Sequence, residues 1–341
     1  MIILEIMAFV VTALEKVFLG GLIIAILLIV AFCSSYFQNR NIFKRNYLSK
    51  TFVPNPSVEK NLTGIGRTKN NFLIYSSGLG WVLIIILTVS AVVPWGNSIH
   101  LFGQTVDLQM ASVNVDVLFI IGLLSTGILG IMTKGIDKRS PYLWTKVIRS
   151  ASLVVCYELS VGFSIAALLM VSGTMSMKGI VDFQKDADWN FIYQPSGFIL
   201  FLAGCIVILS YSTGVLQNNQ EQHQHEDAAK PERRETGLSL FVRQLVVTIL
   251  SVLTVSFYFG GYDIPFASDV KLRNSIGSNS TAIIEGTVLL AKTIAIIFLF
   301  SLAGKRVRNI KYLQLMNFGW KVLLPLNVLN MVVTGIILLI Q

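Results

Sequence analysis

The sequence predicts an all-α, polytopic membrane protein, and three observations carry that prediction. Of its 341 residues, 54% are hydrophobic and only 13% are charged, whereas soluble domains carry about 25% charged residues. The apolar residues are gathered into separate blocks of roughly 20 residues or more, the helix length that spans a hydrocarbon core of about 30 Å. The basic residues are concentrated in alternate loops between those blocks, the pattern of the positive-inside rule. Length alone would admit two soluble domains. The block pattern instead describes a single membrane domain over residues 1–341.

Eight blocks are visible, at residues 7–37, 72–95, 113–132, 147–171, 198–215, 240–259, 282–302 and 322–340. Backbone polar groups in lipid must be satisfied within their own segment, so each block is expected to be a helix. Strands of a membrane barrel would be shorter and would alternate apolar with polar residues, which these do not. The first block is too long for a signal peptide, lacks a basic start and has no small-residue cleavage pattern after it. It reads as a retained helix.

Of the 27 Lys and Arg residues, 21 lie in or beside the loops after the first, third, fifth and seventh blocks. The other loops hold only Lys178, Lys185, Lys271 and Arg273, while Lys16 and Lys292 lie inside blocks. Those odd loops are therefore placed in the cytoplasm and both termini outside, on the periplasmic side. A missed helix would break the alternation, so the charge pattern supports a count of eight. The formal net charge of +9 follows largely from this topology and needs no nucleic acid. A basic inner face also suits acidic lipid headgroups.

Two cytoplasmic loops stand out. Residues 38–71 form a basic loop, and residues 216–237 form a polar one rich in Gln, Asn and His. The second is too polar to bury a core and reads as flexible. His223, His225, Glu226 and Asp227 lie within it, but two His at i, i+2 in a solvated loop make a weak ligand set. No metal site is expected. Cys33, Cys156 and Cys205 have no metal-binding or redox spacing, so neither a cluster nor a disulfide is inferred. No internal repeat of the transporter kind is visible.

Ionisable residues within membrane blocks are costly and are functional candidates by default. Apart from Arg149 and Arg243, which flank loops at block ends, they are Glu15, Lys16, Asp116, Glu158, Glu285 and Lys292. Asp116 and Glu285 lie near helix ends, where a side chain can simply reach the interface. Glu15 and Lys16 are adjacent and diverge by about 100°, so they do not pair on one face. Glu158 is the deepest acid, eleven residues beyond Val147. The proton-path candidates are therefore Glu158, Asp116, Lys292 and Glu15. The competing reading of Glu158 is structural: a protonated carboxyl bonded to a neighbouring helix.

At the fourth block the residues become recognisable as resembling a known family. The stretch Arg149-Ser-Ala-Ser-Leu-Val-Val-Cys-Tyr157-Glu158-Leu-Ser-Val-Gly162 is similar to the pattern R-A-A-A-Q-M-x-S-Y-E-x-x-x-G. That pattern belongs to the H subunit of bacterial respiratory complex I, the NADH:quinone oxidoreductase, whose mitochondrial counterpart is numbered one. Other pieces agree in the right order: Ala91 to Gly96, Leu168 to Ser176, and Trp189 to Gln194-Pro195. Phe259-Gly260-Gly261-Tyr262, Tyr312 to Met316, Gly319-Trp320-Lys321 and Pro325 to Asn330 follow. The resemblance runs from about Gly78 to the C-terminus and is nearest to the Bacteroidetes branch. It implies eight helices with outside termini, a bacterial inner-membrane location and other membrane subunits as partners. The family-motif residues retained are Arg149, Tyr157, Glu158, Gln194, Pro195, Gly260, Gly261, Trp320 and Lys321.

The departures bear on function. After helix five the family carries E-T-N-R-x-P-F-D, then an acid-rich run, and E-Y at the start of helix six. These residues shape the quinone chamber and the acidic path from it. Here Ile208, Leu209, Ser210 and Tyr211 stand in place of E-T-N-R, and Arg243-Gln244 replace E-Y. The N-terminal A-E-R-K and D-R-x-G-P-N motifs are not recognisable, and Arg306-Val-Arg-Asn309 replaces T-x-P-R. A quinone headgroup needs placed donors and a dry slot, and a proton relay needs ionisable side chains. Isoleucine and leucine supply neither.

The reading this supports is a membrane-arm subunit of a complex I-like, ion-translocating assembly whose quinone and acidic-path motifs are degenerate, leaving a scaffold or ion-path role. Two alternatives stand beside it: a working quinone-binding subunit, and a stand-alone transporter or membrane scaffold. With no G-x-G-x-x-G, P-loop or cluster-binding cysteines, the chain is expected to carry no redox centre of its own. Quinone enters only under the first alternative.

Overall fold

In the computed structural model, the structure describes residues 25–27, 29–30, 89, 92–101, 104–106, 108–109, 114–125, 141–186, 188–212, 237–264, 277–307, 310 and 312–340. Glu15, Lys16, Cys33, loop 38–71 and nearly all of loop 216–237 lie outside the described residues, as do most of the first two expected spans.

The remaining six expected spans fall on apolar helices. Helix α1 covers Asp116–Ser125. Helix α2 covers Pro141–Ser172, and α3 covers Met177–Asp186. The short α4 covers Asn190–Tyr193, α5 Pro195–Ser212 and α6 Gly237–Tyr258. Helix α7 covers Ser278–Val307. The last span is a continuous helical run made of α8, Tyr312–Phe318, a π-helical turn, Gly319–Leu323, and α9, Leu324–Ile340. It starts ten residues before the apolar block does, because Gln314 and Asn317 lower the hydropathy of a segment that is nonetheless helical.

The boundaries follow local chemistry. Proline opens α2 and α5, where its missing N–H is no loss. Helix α2 ends at Gly173 in the left-handed region (φ 65°), a conformation glycine adopts without a Cβ penalty. The π turn sits just before Pro325, which cannot donate the N–H bond that would continue the ladder. Instead the Leu324 N–H reaches the Gly319 carbonyl. One element departs from an all-helical chain. Strands β1, Ile99–Leu101, and β2, Gln104–Val106, form an antiparallel hairpin with His100 opposite Thr105.

Burial is inverted relative to a soluble protein. Large apolar side chains point outward, among them Phe298 (65% exposed) and Leu329 (61%). Polar ones are sealed inside: Asp116, Ser160, Ser164, Thr248, Ser251, Thr254, Glu285 and Asn327 are all buried. A soluble fold would expose hydrophobic surface on this scale only as an interaction or aggregation site; lipid covers it at no cost. The buried hydroxyls satisfy themselves by donating to the carbonyl one turn back, as Thr248 does to Gln244 and Ser251 to Val247.

Helices α2 and α5 pack closely along their length, and α9 lies against both. Helices α6 and α7 pair on the other side of α5. Small residues permit the close approaches. A Cβ on Gly319 would sit 2.9 Å from Cys156 Sγ and 3.1 Å from the Tyr157 ring. Tyr157 completes that contact by donating its hydroxyl to the Leu315 carbonyl at 3.0 Å.

Candidate functional site

Asp116 and Glu285 lie near helix ends, where a side chain can reach the interface; the structure instead turns both inward and buries them fully. Asp116 Oδ2 accepts from Gln109 Nε2 at 3.1 Å and from the Met177 N–H at 3.2 Å. Glu285 accepts from the Asn97 backbone N–H at 2.6 Å and from Asn97 Nδ2 at 2.8 Å. Asn97 and Gln109 flank the β1–β2 hairpin, so each of its legs is held by one buried carboxylate. Neither acid is accounted for by periodicity, because hydropathy reports depth and not direction.

The Glu285 contact extends outward. The Tyr262 hydroxyl lies 3.3 Å from Asn97 Oδ1 and 3.4 Å from Asp182 Oδ1, and Lys185 Nζ stands 4.1 Å over the Tyr262 ring. Replacing Glu285 with alanine is expected to release this leg. Hydrogen exchange at residues 97–109 should accelerate, with the α2–α5 core unchanged; unchanged exchange in the hairpin would show that Asn97 is held by other means.

Lys292 has a different task. Its Nζ donates to the carbonyls of Phe259 (2.8 Å), Gly261 (3.2 Å) and Asp263 (2.7 Å). Gly260 (φ 70°) and Gly261 (φ 53°) turn the chain so that these carbonyls converge. An ammonium has three donors, and all three are engaged. The cation caps the carbonyl end of α6, where the helix dipole favours it. It also lies 4.7 Å over the Trp189 ring, whose Nε1 donates to Asp263 Oδ2 at 3.1 Å. Gln184 ties down the same corner: its Oε1 accepts from the Gly260 N–H and its Nε2 donates to the Ser256 carbonyl.

Glu158 stands apart from these contacts. It is half-buried on α2, beside exposed Val155 and Leu159, and no described residue gives its carboxylate a hydrogen bond or ion pair. Arg149 is exposed on the same helix, nine residues and about 13.5 Å away. The proton-path candidates are thus not gathered into one site. Asp116 and Lys292 each belong to a separate clasp, Glu158 is open to whatever lies beside α2, and Glu15 is outside the described residues.

Where the family's E-T-N-R was expected to be replaced, Leu209 packs into the main core and Ile208 against a second cluster around Tyr157 and Leu200. The side chains of Ser210, Tyr211 and Arg243 lie outside the described residues. Gln244 is buried, and its Nε2 has no partner among the described residues. Ser160 on α2 is engaged within the chain, its Oγ accepting from Asn327 Nδ2 of α9. Pro195 opens α5, Trp320 and Lys321 are exposed on the π turn, and Cys156 and Cys205 are buried and unpaired.

Sequence reasoning passed over Asn327, Asn330 and Thr334, which α9 buries against α2 and α5. The signal was present: three polar residues at i, i+3, i+7 in an otherwise apolar block mark one face of a helix.

An inside-out helical bundle, with polar side chains turned inward and apolar ones outward, defines an integral membrane protein of the polytopic α-helical class. Residues 65–212 and 234–335 match the family model described as NADH dehydrogenase. The chain is 33% identical over 275 residues to the NADH-quinone oxidoreductase H subunit of Flavobacterium johnsoniae, covering 80% of this chain and 77% of that one. It is 30% identical over 270 residues to the first H subunit of Cytophaga hutchinsonii, covering 79% and 78%, and 29% identical over 276 residues to the first H subunit of Geobacter metallireducens, covering 80% and 77%. The chain belongs to this family, the H subunits of NADH-quinone oxidoreductase. The interval between the two matched segments, 213–233, falls largely in the polar loop.

Proposed function

We propose that the chain is a membrane-arm subunit of a complex I-like, ion-translocating assembly in the bacterial inner membrane, serving as scaffold or ion path and not as a quinone chamber. The observation that carries this reading is the ordered retention of the family's motifs around Glu158 together with apolar side chains at 208 and 209, where the family places E-T-N-R. Leu209 is packed into the core, and its side chain has no donor to offer a headgroup. Glu158 is the retained acid with room for a partner. Any path through it needs water or a side chain from another subunit.

The quinone-binding alternative has one observation in its favour. The buried Gln244 Nε2 is a donor without a described partner, at the position of the family's E-Y pair. Purification through a tag on this chain tests the subunit reading: at least two other membrane proteins should co-purify, and a monodisperse, fully active monomer would remove it. An azido-quinone photoprobe separates the alternatives. No adduct is expected at 208–211; adducts there or at 243–244 would favour quinone binding.

A further inference from the structure

The contact between α9 and its neighbours is a line of polar side chains in a helix whose other faces are apolar and exposed. Ser164 donates its hydroxyl to Asn327 Oδ1, while Asn327 Nδ2 donates to Ser160 Oγ and to the Leu323 carbonyl. One turn on, Ser196 Oγ donates to Asn330 Oδ1 at 2.6 Å. One turn further, Gln194 Nε2 donates to Thr334 Oγ1 at 2.8 Å, and that hydroxyl donates to the Asn330 carbonyl at 2.8 Å. The line runs from Asn327 to Thr334, seven steps along α9 or about 10.5 Å of helix, roughly a third of a hydrocarbon core of about 30 Å. It ends at Gln194, in the corner where α4 meets α5.

Two groups on this line are left over. Gln194 Oε1 and Asn330 Nδ2 are buried without a partner among the described residues, on side chains 5% and 7% exposed. Their amide orientations do not remove the problem. The hydroxyls of Ser196 and Thr334 can each donate or accept, so rotating either amide only exchanges which atom is left over. A buried polar atom without a partner is costly, and in a membrane interior no bulk solvent is at hand to repair it. Gly197 lets the Gln194 side chain lie directly against the α5 backbone: a Cβ there would meet Gln194 Cδ at 2.9 Å and Oε1 at 3.1 Å. One acceptor and one donor, both buried, on neighbouring turns of a polar seam, are what an ordered water uses, since such waters make two to four hydrogen bonds.

We infer that the α2–α5–α9 seam is a hydrated file. Water bridges Gln194 Oε1 and Asn330 Nδ2, and proton access runs inward from the Gln194 end to the Ser160–Asn327 level. There it stops, because Leu323, Gly319 and the Tyr157 ring close the seam with apolar contact. The file depends only on the membrane placement of the helices and stands whether or not the chain is an ion-path subunit.

A single-particle map of the purified assembly tests occupancy, at a resolution that shows waters on interior carbonyls elsewhere. A solvent peak is expected within about 3.2 Å of both leftover atoms. Continuity is tested with silver ion, which needs a water-exposed thiolate, on cysteines placed at Ser196, Ser164 and lipid-facing Val333 in an assembly whose native cysteines are replaced. Modification from the side of the Gln194 corner should be at least about tenfold faster at 196 and 164 than at 333. The map needs no substitution and decides occupancy even if a variant fails to assemble. A dry seam in the map, or rates at 196 and 164 no faster than at 333, overturns the proposal.

Discussion

Lys292→Met is expected to lower the thermal midpoint of the purified protein and the yield of assembled material. Methionine matches the length and apolar stem of lysine but donates nothing. The carbonyls of Phe259, Gly261 and Asp263, which converge on Nζ within 3.2 Å, then lose their shared partner. An orphaned buried group costs about 1–3 kcal/mol. The corner is only half-buried and water reaches part of it, so the total is about 2–4 kcal/mol. Against a typical native stability of about 5–15 kcal/mol, that is a large share. Lys292→Arg keeps charge and donors and should recover part of the loss. A midpoint for Lys292→Met equal to that of the unsubstituted protein would show that the clasp contributes nothing, and would return Lys292 to the list of relay candidates.

Gly204→Val should be as damaging by a different route. A Cβ at residue 204 would lie 2.5 Å from Val161 Cγ2, inside van der Waals contact, at the interface of α2 and α5. Overpacking of a well-filled interior costs about 1–3 kcal/mol, and a β-branched side chain in a helix has one strongly preferred rotamer, so it cannot turn aside. The helices must separate, and Tyr157 and Leu209 move with them. Gly204→Ala should cost less. Adding Val161→Ala to Gly204→Ala should restore stability beyond the sum of the two single effects, because residues in contact are not additive. Strict additivity would show that α2 and α5 have slack at this point.

Helix existence was legible because lipid leaves the backbone few options: the expected blocks from the fourth to the eighth coincide with α2, α5, α6, α7 and the run ending in α9 to within a few residues at most ends. The largest departure, the start at Tyr312, was hidden by polar residues that a helix tolerates near an interface; α2 also starts six residues early, at Pro141, and α7 ends five residues late, at Val307. The hairpin, α3 and α4 were not legible, because short elements between spans carry no hydropathy signal. Family likeness located Gln194-Pro195 and Gly260-Gly261 without giving their jobs, which depend on partners far away in sequence: Thr334 for Gln194, and Lys292 for the carbonyls that the two glycines align. Asp116 and Glu285 were recognised as intramembrane acids, yet their inward turn depends on Gln109 and Asn97, residues whose reach no one-dimensional pattern reports. The partner of Ser160, Asn327, lies 167 residues away, beyond the reach of any local pattern.

The direct test of the ion-path reading is Glu158→Gln in the reconstituted assembly. Glutamine keeps the size of the side chain and its capacity for hydrogen bonds but cannot titrate. The measurement is ion translocation into sealed vesicles, normalised to the amount of assembled complex. The expected result is intact assembly with translocation reduced by about tenfold or more, the effect of losing roughly 1.4 kcal/mol or more at a limiting step. Unchanged translocation with intact assembly would make Glu158 a structural residue and contradict the ion-path role.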